Sequence, residues 1–298
     1  MNLKNPSLDE LDLVLGLCRN GSLSACALSM GVSTAYVSKR LAQLEQRLGL
    51  KLFHRTTRSL ALTEVGETFV EWGQRVLDSS QDLMDALSAE RSVPQGLLRV
   101  CSSSGYGHSR VAPALSELVK QYPALEVQLE LIDRPIDLLT EGFHLDIRLG
   151  ETSEPDLICR HISGNQRILC ASPSYLKSAP ELKELADLQN HACLVIRERD
   201  QQPGRWVLQG PRGEETVRVR GAMASNSGES VRQWIVDGHG VGLRSVWDAA
   251  PFLRSKKLVR VLPKYFQEAN VYAVYPSRLA SSARLRVCVE FLAVRLCE

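Results

Sequence analysis

Residues 22–63 constrain the fold more than any other stretch of this chain, because they predict two helices joined by a tight corner. Gly31 can adopt the positive φ angle of such a corner without steric cost, and Ser33 is a typical N-cap for a helix beginning at Thr34. Apolar residues at i, i+4, i+7 and i+11 form one face of that helix: Val37, Leu41, Leu44 and Leu48. Gly49 ends the helix, whose other face is left free for a partner.

The free face of this helix is polar and carries cations. A basic segment, residues 51–62, follows it and alternates around a Thr-Thr turn, which predicts a β-hairpin. A winged helix-turn-helix domain inserts such a helix into the DNA major groove and lays such a hairpin over the phosphates. We therefore predict the following DNA-binding residues: Ser33, Thr34, Tyr36, Ser38, Lys39, Arg40, Arg55 and Arg58. The alternative is a small helical subdomain whose polar face is only solvated.

The distribution of charge agrees with a nucleic-acid partner. Residues 1–62 hold eight Lys or Arg and four acids, a net charge of +4, whereas the whole chain of 298 residues carries +2. Basic charge is therefore concentrated in the segment that carries the motif.

Several motifs resemble the LysR-type transcriptional regulators. In the N-terminal part they are Leu8-Asp-Glu-Leu-Asp, Gly21-Ser-Leu-Ser-Ala-Cys-Ala, Val32-Ser-Thr-Ala-Tyr-Val-Ser-Lys-Arg-Leu, Leu44-Glu-Gln-Arg-Leu-Gly, Leu52-Phe-His-Arg-Thr-Thr-Arg and Leu62-Thr-Glu-Val-Gly. Further along they are Leu138-Leu-Thr-Glu-Gly-Phe-His-Leu-Asp-Ile-Arg and Gly238-His-Gly-Val-Gly-Leu. The first of these later motifs is similar to the branch of the family that includes regulators of malate and tartrate use.

The resemblance implies a sequence-specific DNA-binding regulator that forms a homodimer or homotetramer. It also implies a small-molecule effector, with an organic acid weakly favoured, and contact with RNA polymerase if the protein is an activator. Thr34 stands where the family often has Gln, and Tyr36 where it usually has a small residue. Because both positions face DNA, the operator sequence does not follow from the resemblance.

Residues 63–90 predict one long helix with an apolar stripe at near-heptad spacing. The stripe is Val65, Phe69, Trp72, Val76, Leu83 and Leu87. A stripe of this length has no core of its own, and its natural partner is the same helix of a second subunit. The alternative is a helix packed on its own chain. Residues 91–96, which contain Pro94, then predict a hinge.

From residue 97 onward, strands alternate with helices, which predicts an α/β effector-binding domain over residues 97–298. The predicted strands include 97–101, 127–132, 145–149, 167–171, 192–196 and 271–275, and the predicted helical segments include 110–122, 136–141, 173–177, 179–188, 228–237 and 282–296. Two lobes are expected, the first of about 97–165 and 270–298 and the second of about 166–269. They resemble the periplasmic binding-protein fold that the family uses for its ligand. Together with the winged helix-turn-helix domain of residues 1–62, this gives the overall architecture.

Ligands in such sheets bind outside the carboxyl ends of the strands, in the crevice between the lobes. Two Ser-rich segments each end a strand and precede a helix there, and they offer hydroxyls and free backbone N–H groups to an anion. Arg148, at the end of a strand, offers a partner for a carboxylate. The predicted effector-binding residues are Ser102, Ser103, Ser104, Arg148, Ser225 and Asn226. For each serine taken alone, an ordinary helix cap is the alternative.

The sequence does not favour an enzyme, and we predict no catalytic residue, cofactor or metal site. The GxSxG, P-loop and HExxH motifs are absent, the six His are dispersed, and the glycines near residue 105 lack the third glycine of a dinucleotide loop. No apolar run is long enough to span a membrane, and no signal peptide is recognisable, so we expect a cytoplasmic protein rather than a secreted solute-binding protein.

The chain has eight cysteines without a CxxC motif or metal-ligand spacing. We interpret them mostly as reduced, partly buried small side chains. A redox-sensing regulator is the alternative, although no two cysteines share a short loop next to basic residues.

Overall fold

The structure is a computed structural model that describes residues 5–55, 60–87, 94–152, 154–197 and 203–297. The chain forms two compact units, Met1–Glu90 and Arg91–Glu298. Arg58, the Thr-Thr turn of the hairpin and residues 91–93 of the predicted hinge lie outside the described residues.

The first unit consists of helices around a short hairpin, as predicted. Its elements are α1 (Leu8–Asn20), α2 (Leu23–Ser29), α3 (Thr34–Leu48), β1 (Phe53–Arg55), β2 (Leu60–Leu62) and α4 (Glu64–Leu87). Gly31 adopts a φ of 65° at the corner between α2 and α3. The Ser33 hydroxyl accepts a hydrogen bond from the Tyr36 amide at 3.2 Å and so caps α3. The predicted corner, cap and helix are therefore confirmed.

Two buried acids tie α3 to its neighbours. Glu10 in α1 accepts a hydrogen bond from the Arg47 guanidinium, which is the main reason that the pKa of Glu10 is lowered. Glu45 in α3 accepts the backbone amides of Leu52 at 3.0 Å and Phe53 at 3.3 Å. Around them, the apolar stripe of α3 is buried as predicted. This packing leaves the opposite face of α3 uncovered within the unit.

The second unit is α/β. Its strands are β3 (Gly96–Ser102), β4 (Leu125–Leu131), β5 (Leu145–Leu149), β6 (Leu157–Ser163), β7 (Gln166–Ala171), β8 (Cys193–Ile196), β9 (Arg205–Gly210), β10 (Gly213–Arg218), β11 (Ala224–Ser225), β12 (Val241–Ser245), β13 (Val259–Arg260), β14 (Phe266–Glu268) and β15 (Val271–Pro276). Its α-helices are α5 (Ser104–Tyr106), α6 (Ala112–Gln121), α7 (Leu138–Glu141), α8 (Pro173–Ser178), α9 (Gly228–Val236), α10 (Val246–Arg254) and α11 (Ala283–Arg295).

These strands form two sheets, which define two lobes. Lobe I is built on a five-stranded sheet of order β4-β3-β5-β15-β6, in which β3 runs parallel to both β4 and β5. Lobe II is built on an eight-stranded sheet of order β10-β9-β14-β7-β12-β8-β11, with β13 also paired to β7. The chain crosses between the sheets after β6 and again before β15. Each lobe has its own buried core, around Leu98, Leu118 and Ile147 in lobe I and around Leu169, Leu188 and Leu208 in lobe II.

Two predicted segments differ from the structure. The helix predicted over residues 179–188 is wrong, because α8 ends at Ser178 and only Leu185–Asn190 form a 3₁₀ helix. Pro180 disfavours the helical conformation at Ala179, whose ψ is 160°. The helix predicted to begin at residue 110 begins earlier, since α5 and a π-helical turn at Gly107–Val111 precede α6.

The sequence reasoning also missed several elements of the second unit, among them β6, β12 and α10. Within the described ranges, no single helix has the length and apolar composition of a membrane span. The one pair of consecutive helices that reaches that composition together, α1 and α2, is bent by 118°.

Candidate functional site

The polar face predicted to bind DNA lies on the surface of the first unit. Ser33, Thr34, Tyr36 and Lys39 are exposed, and Ser38 and Arg40 are half-buried. Tyr36 has 48% of its surface exposed. Because the first turn of α3 is uncovered, these side chains and the helix N-terminus are accessible to a phosphate or a base edge.

The hairpin that follows α3 pairs antiparallel, with His54 opposite Ala61. Arg55 is the last residue of β1. Glu45 fixes the base of the hairpin to α3 through the two amides described above. These two hydrogen bonds therefore join α3 to the start of the hairpin.

The stripe of α4 divides between two faces. Phe69 and Val70 pack on the core of the first unit. For the face of α4 that carries these two residues, the helix therefore packs on its own chain, which was the alternative to pairing with a second subunit. The remaining stripe residues with described side chains, Val65, Trp72, Val76 and Leu83, are 42–59% exposed. Their spacing of seven, four and seven residues is that of a coiled-coil seam. The side chain of Leu87 lies outside the described residues.

A cavity of about 370 Å³ opens between the two lobes of the second unit. Lobe I lines it with Ser103, Gly105, Tyr106, Asp133, Arg148, Leu149, Gly150 and Glu151, and lobe II with Arg167, Ile196, Asn226, Gly228, Arg244, Ser245 and Trp247. The volume suits a small metabolite rather than a peptide. Tyr106 and Trp247 meet edge to face across the cavity wall, with ring centroids 5.3 Å apart.

Positive charge predominates in this cavity. Three arginines line it, Arg148, Arg167 and Arg244, against two acids, Asp133 and Glu151. Arg167 and Arg244 are only 5% and 6% exposed. Because a cation is costly to bury, arginines held at a cavity wall favour an anionic ligand.

The structure brings three of the six predicted effector-binding residues to the cavity wall: Ser103, Arg148 and Asn226. Ser102 is fully buried and donates its hydroxyl to the Ile147 carbonyl at 2.6 Å, so its prediction as a ligand contact is corrected. Ser104 offers its backbone amide to Asp133, and the Ser225 hydroxyl accepts the Ser227 amide. Neither Ser104 nor Ser225 lines the cavity.

Sequence reasoning missed the cavity residues Tyr106, Asp133, Arg167, Arg244 and Trp247. One signal was available for Arg244, which follows the apolar residues Val241 and Leu243 in β12. A charged residue within a buried strand indicates a partner or a ligand.

Three buried thiols have the properties of packing residues. Burial raises the pKa of Cys170, Cys193 and Cys288 to about 12. Very little thiolate exists at neutral pH under such conditions, and thiolate is the form that reacts with oxidants. The described residues also contain no group of three or more His, Cys, Asp or Glu side chains able to hold a metal ion.

Comparison with protein families assigns both units. Residues 8–67 match the bacterial regulatory helix-turn-helix protein, lysR family, and residues 91–296 match the LysR substrate binding domain.

Two relatives from Escherichia coli K12 match almost the full chain. The HTH-type transcriptional regulator DmlR is 49% identical over 287 residues, which cover 96% of this chain and 94% of DmlR. The HTH-type transcriptional activator TtdR is 43% identical over 288 residues, 97% of this chain and 93% of TtdR.

Solved structures show the same architecture. CrgA, a LysR-type transcriptional regulator from Neisseria meningitidis, superposes with a TM-score of 0.61 at 27% identity, over 99% of this chain and 100% of CrgA. The virulence activator AphB of Vibrio cholerae gives a TM-score of 0.59 at 26% identity, over 96% of this chain and 98% of AphB.

The relatives are named as transcriptional regulators, which are not enzymes. LysR-type regulators bind DNA and small-molecule effectors and form oligomers. The chain belongs to the LysR family of bacterial transcriptional regulators, with a helix-turn-helix DNA-binding domain followed by a two-lobed effector-binding domain.

Proposed function

We propose that a small anionic metabolite, an organic acid by class, binds in the cavity between lobes I and II and controls how this regulator acts on its promoters. The observation that carries the proposal is the excess of arginine over acid in a cavity that both lobes line. Ser103 and Arg148 would contact the ligand from lobe I, and Asn226 and Arg244 from lobe II.

A ligand that contacts both lobes binds their closed arrangement better than an open one. Only this difference in affinity can shift the equilibrium between the open and closed arrangements of the lobes. The size of that shift sets the size of the regulatory response. The effector is in this way coupled to the arrangement of the subunits on DNA.

For DNA binding, we propose that α3 enters the major groove through Ser33, Thr34, Tyr36, Ser38, Lys39 and Arg40, and that the wing contacts phosphates through Arg55 and Arg58. The exposed face of α4 would pair with the same face of a second copy. Two half-sites are then bound together, which raises the affinity for a symmetric operator.

The cell compartment and the transcriptional partner follow from the same proposal. The protein would act in the cytoplasm, where promoter DNA and metabolites meet. It would contact RNA polymerase if its output is activation.

The test is a reporter fused to a promoter that the protein binds, in cells grown on a series of organic acids. We expect one acid to change the reporter output. The double variant Ser103→Ala with Asn226→Ala should lose the response while keeping the DNA affinity measured without the acid. Ser178→Ala, an exposed serine on α8, is the matched control. Wild-type sensitivity in the double variant would contradict the proposed site.

A further inference from the structure

Residues 254–264 of lobe II concentrate positive charge on the surface, and we call them the basic patch. The patch contains five cations and no acid, in a chain whose net charge is +2. All five residues are exposed: Arg254, Lys256, Lys257, Arg260 and Lys264. None of them forms an ion pair with any residue that the structure describes. Their charge is therefore available to a partner.

The basic patch is distinct from the effector cavity. Strand β13 belongs to the patch and pairs antiparallel with β7, so that Arg260 lies opposite Cys170. The cavity residue Arg167 lies three positions earlier on β7, which corresponds to about 10 Å along the strand. None of the described residues that line the cavity belongs to the patch. A partner bound at the patch would therefore leave the cavity free for the effector.

The backbone of the basic patch is strained at one of its lysines. Helix α10 ends in a Schellman motif, in which the Lys257 amide donates to the Phe252 carbonyl at 2.9 Å and the Lys256 amide to the Leu253 carbonyl at 3.1 Å. Such a motif needs one left-handed residue, usually glycine, and here it is Lys256 with a φ of 58°. Among the described residues, the one other non-glycine residue with a positive φ is Leu262, also in the patch. A lysine that costs stability at this position is typical of a binding role.

The dipole of α10 explains only part of this charge. Cations in the last turn of a helix are stabilised by its negative C-terminal end, and Arg254 occupies that turn. The effect fades within one turn, whereas Arg260 and Lys264 follow the end of the helix by six and ten positions. These two cations need another explanation.

The composition of the basic patch favours a phosphate backbone over a protein as its partner. The centre of a protein interface is apolar or aromatic. The large apolar side chains that are exposed in the described residues all lie outside residues 247–293, and so outside the patch. Binding to a nucleic-acid backbone requires cations and no apolar centre.

We propose that the basic patch of lobe II binds the phosphate backbone of DNA outside the base pairs that α3 contacts. The inference goes beyond the proposed function, which assigns every DNA contact to the first unit. Each lysine or arginine that neutralises a phosphate releases counterions and so strengthens binding to all sequences alike. The patch would therefore raise the affinity for DNA without changing which operator is selected.

The test is the salt dependence of DNA binding by the full-length protein, measured by fluorescence anisotropy on a fragment that extends well beyond an operator on both sides. The variant with Lys256→Gln, Lys257→Gln and Lys264→Gln should bind this fragment more weakly at low salt. The slope of its log affinity against log salt should be smaller by about two to three for each subunit that contacts DNA. On a fragment trimmed to the operator, the variant and the wild type should bind alike.

A matched control removes the same charge from lobe I. Lys120→Gln, Arg160→Gln and Arg286→Gln together replace three exposed cations and should keep the wild-type slope. This control separates a local contact from an effect of net charge.

Lys256→Gly gives a second and independent measurement. Because glycine relieves the left-handed strain, this variant should have a melting temperature a few degrees higher than the wild type. Its slope on the extended fragment should nevertheless fall by about one. A gain of stability with a wild-type slope would contradict a DNA contact by Lys256.

The proposal is wrong if the triple variant keeps the wild-type slope on the extended fragment, or if the lobe I control loses as much. An equal loss on both fragments would refute a contact outside the operator. If the slope is kept but a promoter reporter no longer responds, the basic patch binds a protein instead of DNA. The effector takes no part in these measurements, so their failure leaves the proposed function untouched.

Discussion

Oε1 of Glu45 accepts a hydrogen bond from the backbone amide of Leu52 at 3.0 Å, and this bond joins α3 to the start of the hairpin. The carboxylate also accepts the Phe53 amide and pairs with Lys51 at 2.7 Å. Burial alone would raise the pKa of Glu45, but the hydrogen bonds from Lys51 and the two amides outweigh it and lower the pKa below its ordinary value of 4.5.

The lowered pKa predicts a pH-dependent contribution of Glu45 to stability. A carboxyl group with a depressed folded-state pKa stabilises the protein above its unfolded-state pKa, and this contribution is lost as the pH falls through the folded value. Glu45→Gln should cost about 1–3 kcal/mol at pH 7 and clearly less below the ordinary pKa of Glu. Urea unfolding followed by circular dichroism measures both. Glu71→Gln, an exposed acid paired with Arg75, is the control. An equal cost at both pH values would refute the ionic role of Glu45.

Lys39 and Arg40 are predicted to contribute to DNA affinity in ways that can be distinguished. Replacement of a phosphate contact by Ala should weaken binding to all sequences and reduce the slope of log affinity against log salt by about one. Loss of a base contact should cost about 1–3 kcal/mol at one operator position. Fluorescence anisotropy over a range of salt concentrations measures both effects, with Lys177→Ala on α8 as the control. Unchanged affinity in both variants would exclude this placement of α3.

The exposed face of α4 predicts the oligomeric state. Leu83 is 59% exposed, and Leu83→Glu would place a charge in the seam between two helices, at a cost of several kcal/mol, on the order of the penalty for an unpaired buried charge. Analytical ultracentrifugation should show a smaller species, and operator affinity should fall because the two half-sites are no longer linked. Val294→Glu, a similarly exposed position on α11, should keep the wild-type mass. A wild-type mass for Leu83→Glu would mean that α4 pairs through another face.

The contact between Tyr106 and Trp247 predicts an optical signal. The two rings come from different lobes, so a ligand that closes the lobes changes the surroundings of the indole. We expect the effector to change tryptophan fluorescence in the wild type and the change to be much smaller in Trp247→Phe. Trp234→Phe, in which a tryptophan of α9 outside the cavity is replaced, is the control. An equal change in Trp247→Phe would show that the lobes do not move at this contact.

The first unit was predictable because its determinants are local. Gly31, Ser33 and the apolar spacing of α3 lie within a few turns of one another, and each acts on the backbone beside it. The cavity was only partly predictable. In α/β sheets, the loops at the carboxyl ends of the strands converge on the ligand site. From this rule we predicted that Ser103 and Asn226 lie near each other, and both line the cavity.

The rest of the cavity depends on pairings between residues far apart in the sequence. Arg244 reaches the cavity because β12 runs antiparallel to β7, with Arg244 opposite Ile168, and no local pattern encodes that pairing. Ser102 was predicted wrongly because it still belongs to β3, where its hydroxyl meets the neighbouring strand at Ile147. Ser102, a buried structural serine, and Ser103, which lines the cavity, are thus only one position apart in the sequence.

The double crossing between the sheets has a consequence for the order in which the protein matures during synthesis. Strand β15 lies between β5 and β6, although its residues are made more than a hundred positions later. A nascent chain that has emerged only as far as residue 270 holds the described strands of lobe II and the whole of α3, but the sheet of lobe I is still split in two. Since domains fold as units while the ribosome advances, the DNA-binding domain can be complete before the effector-binding domain can close.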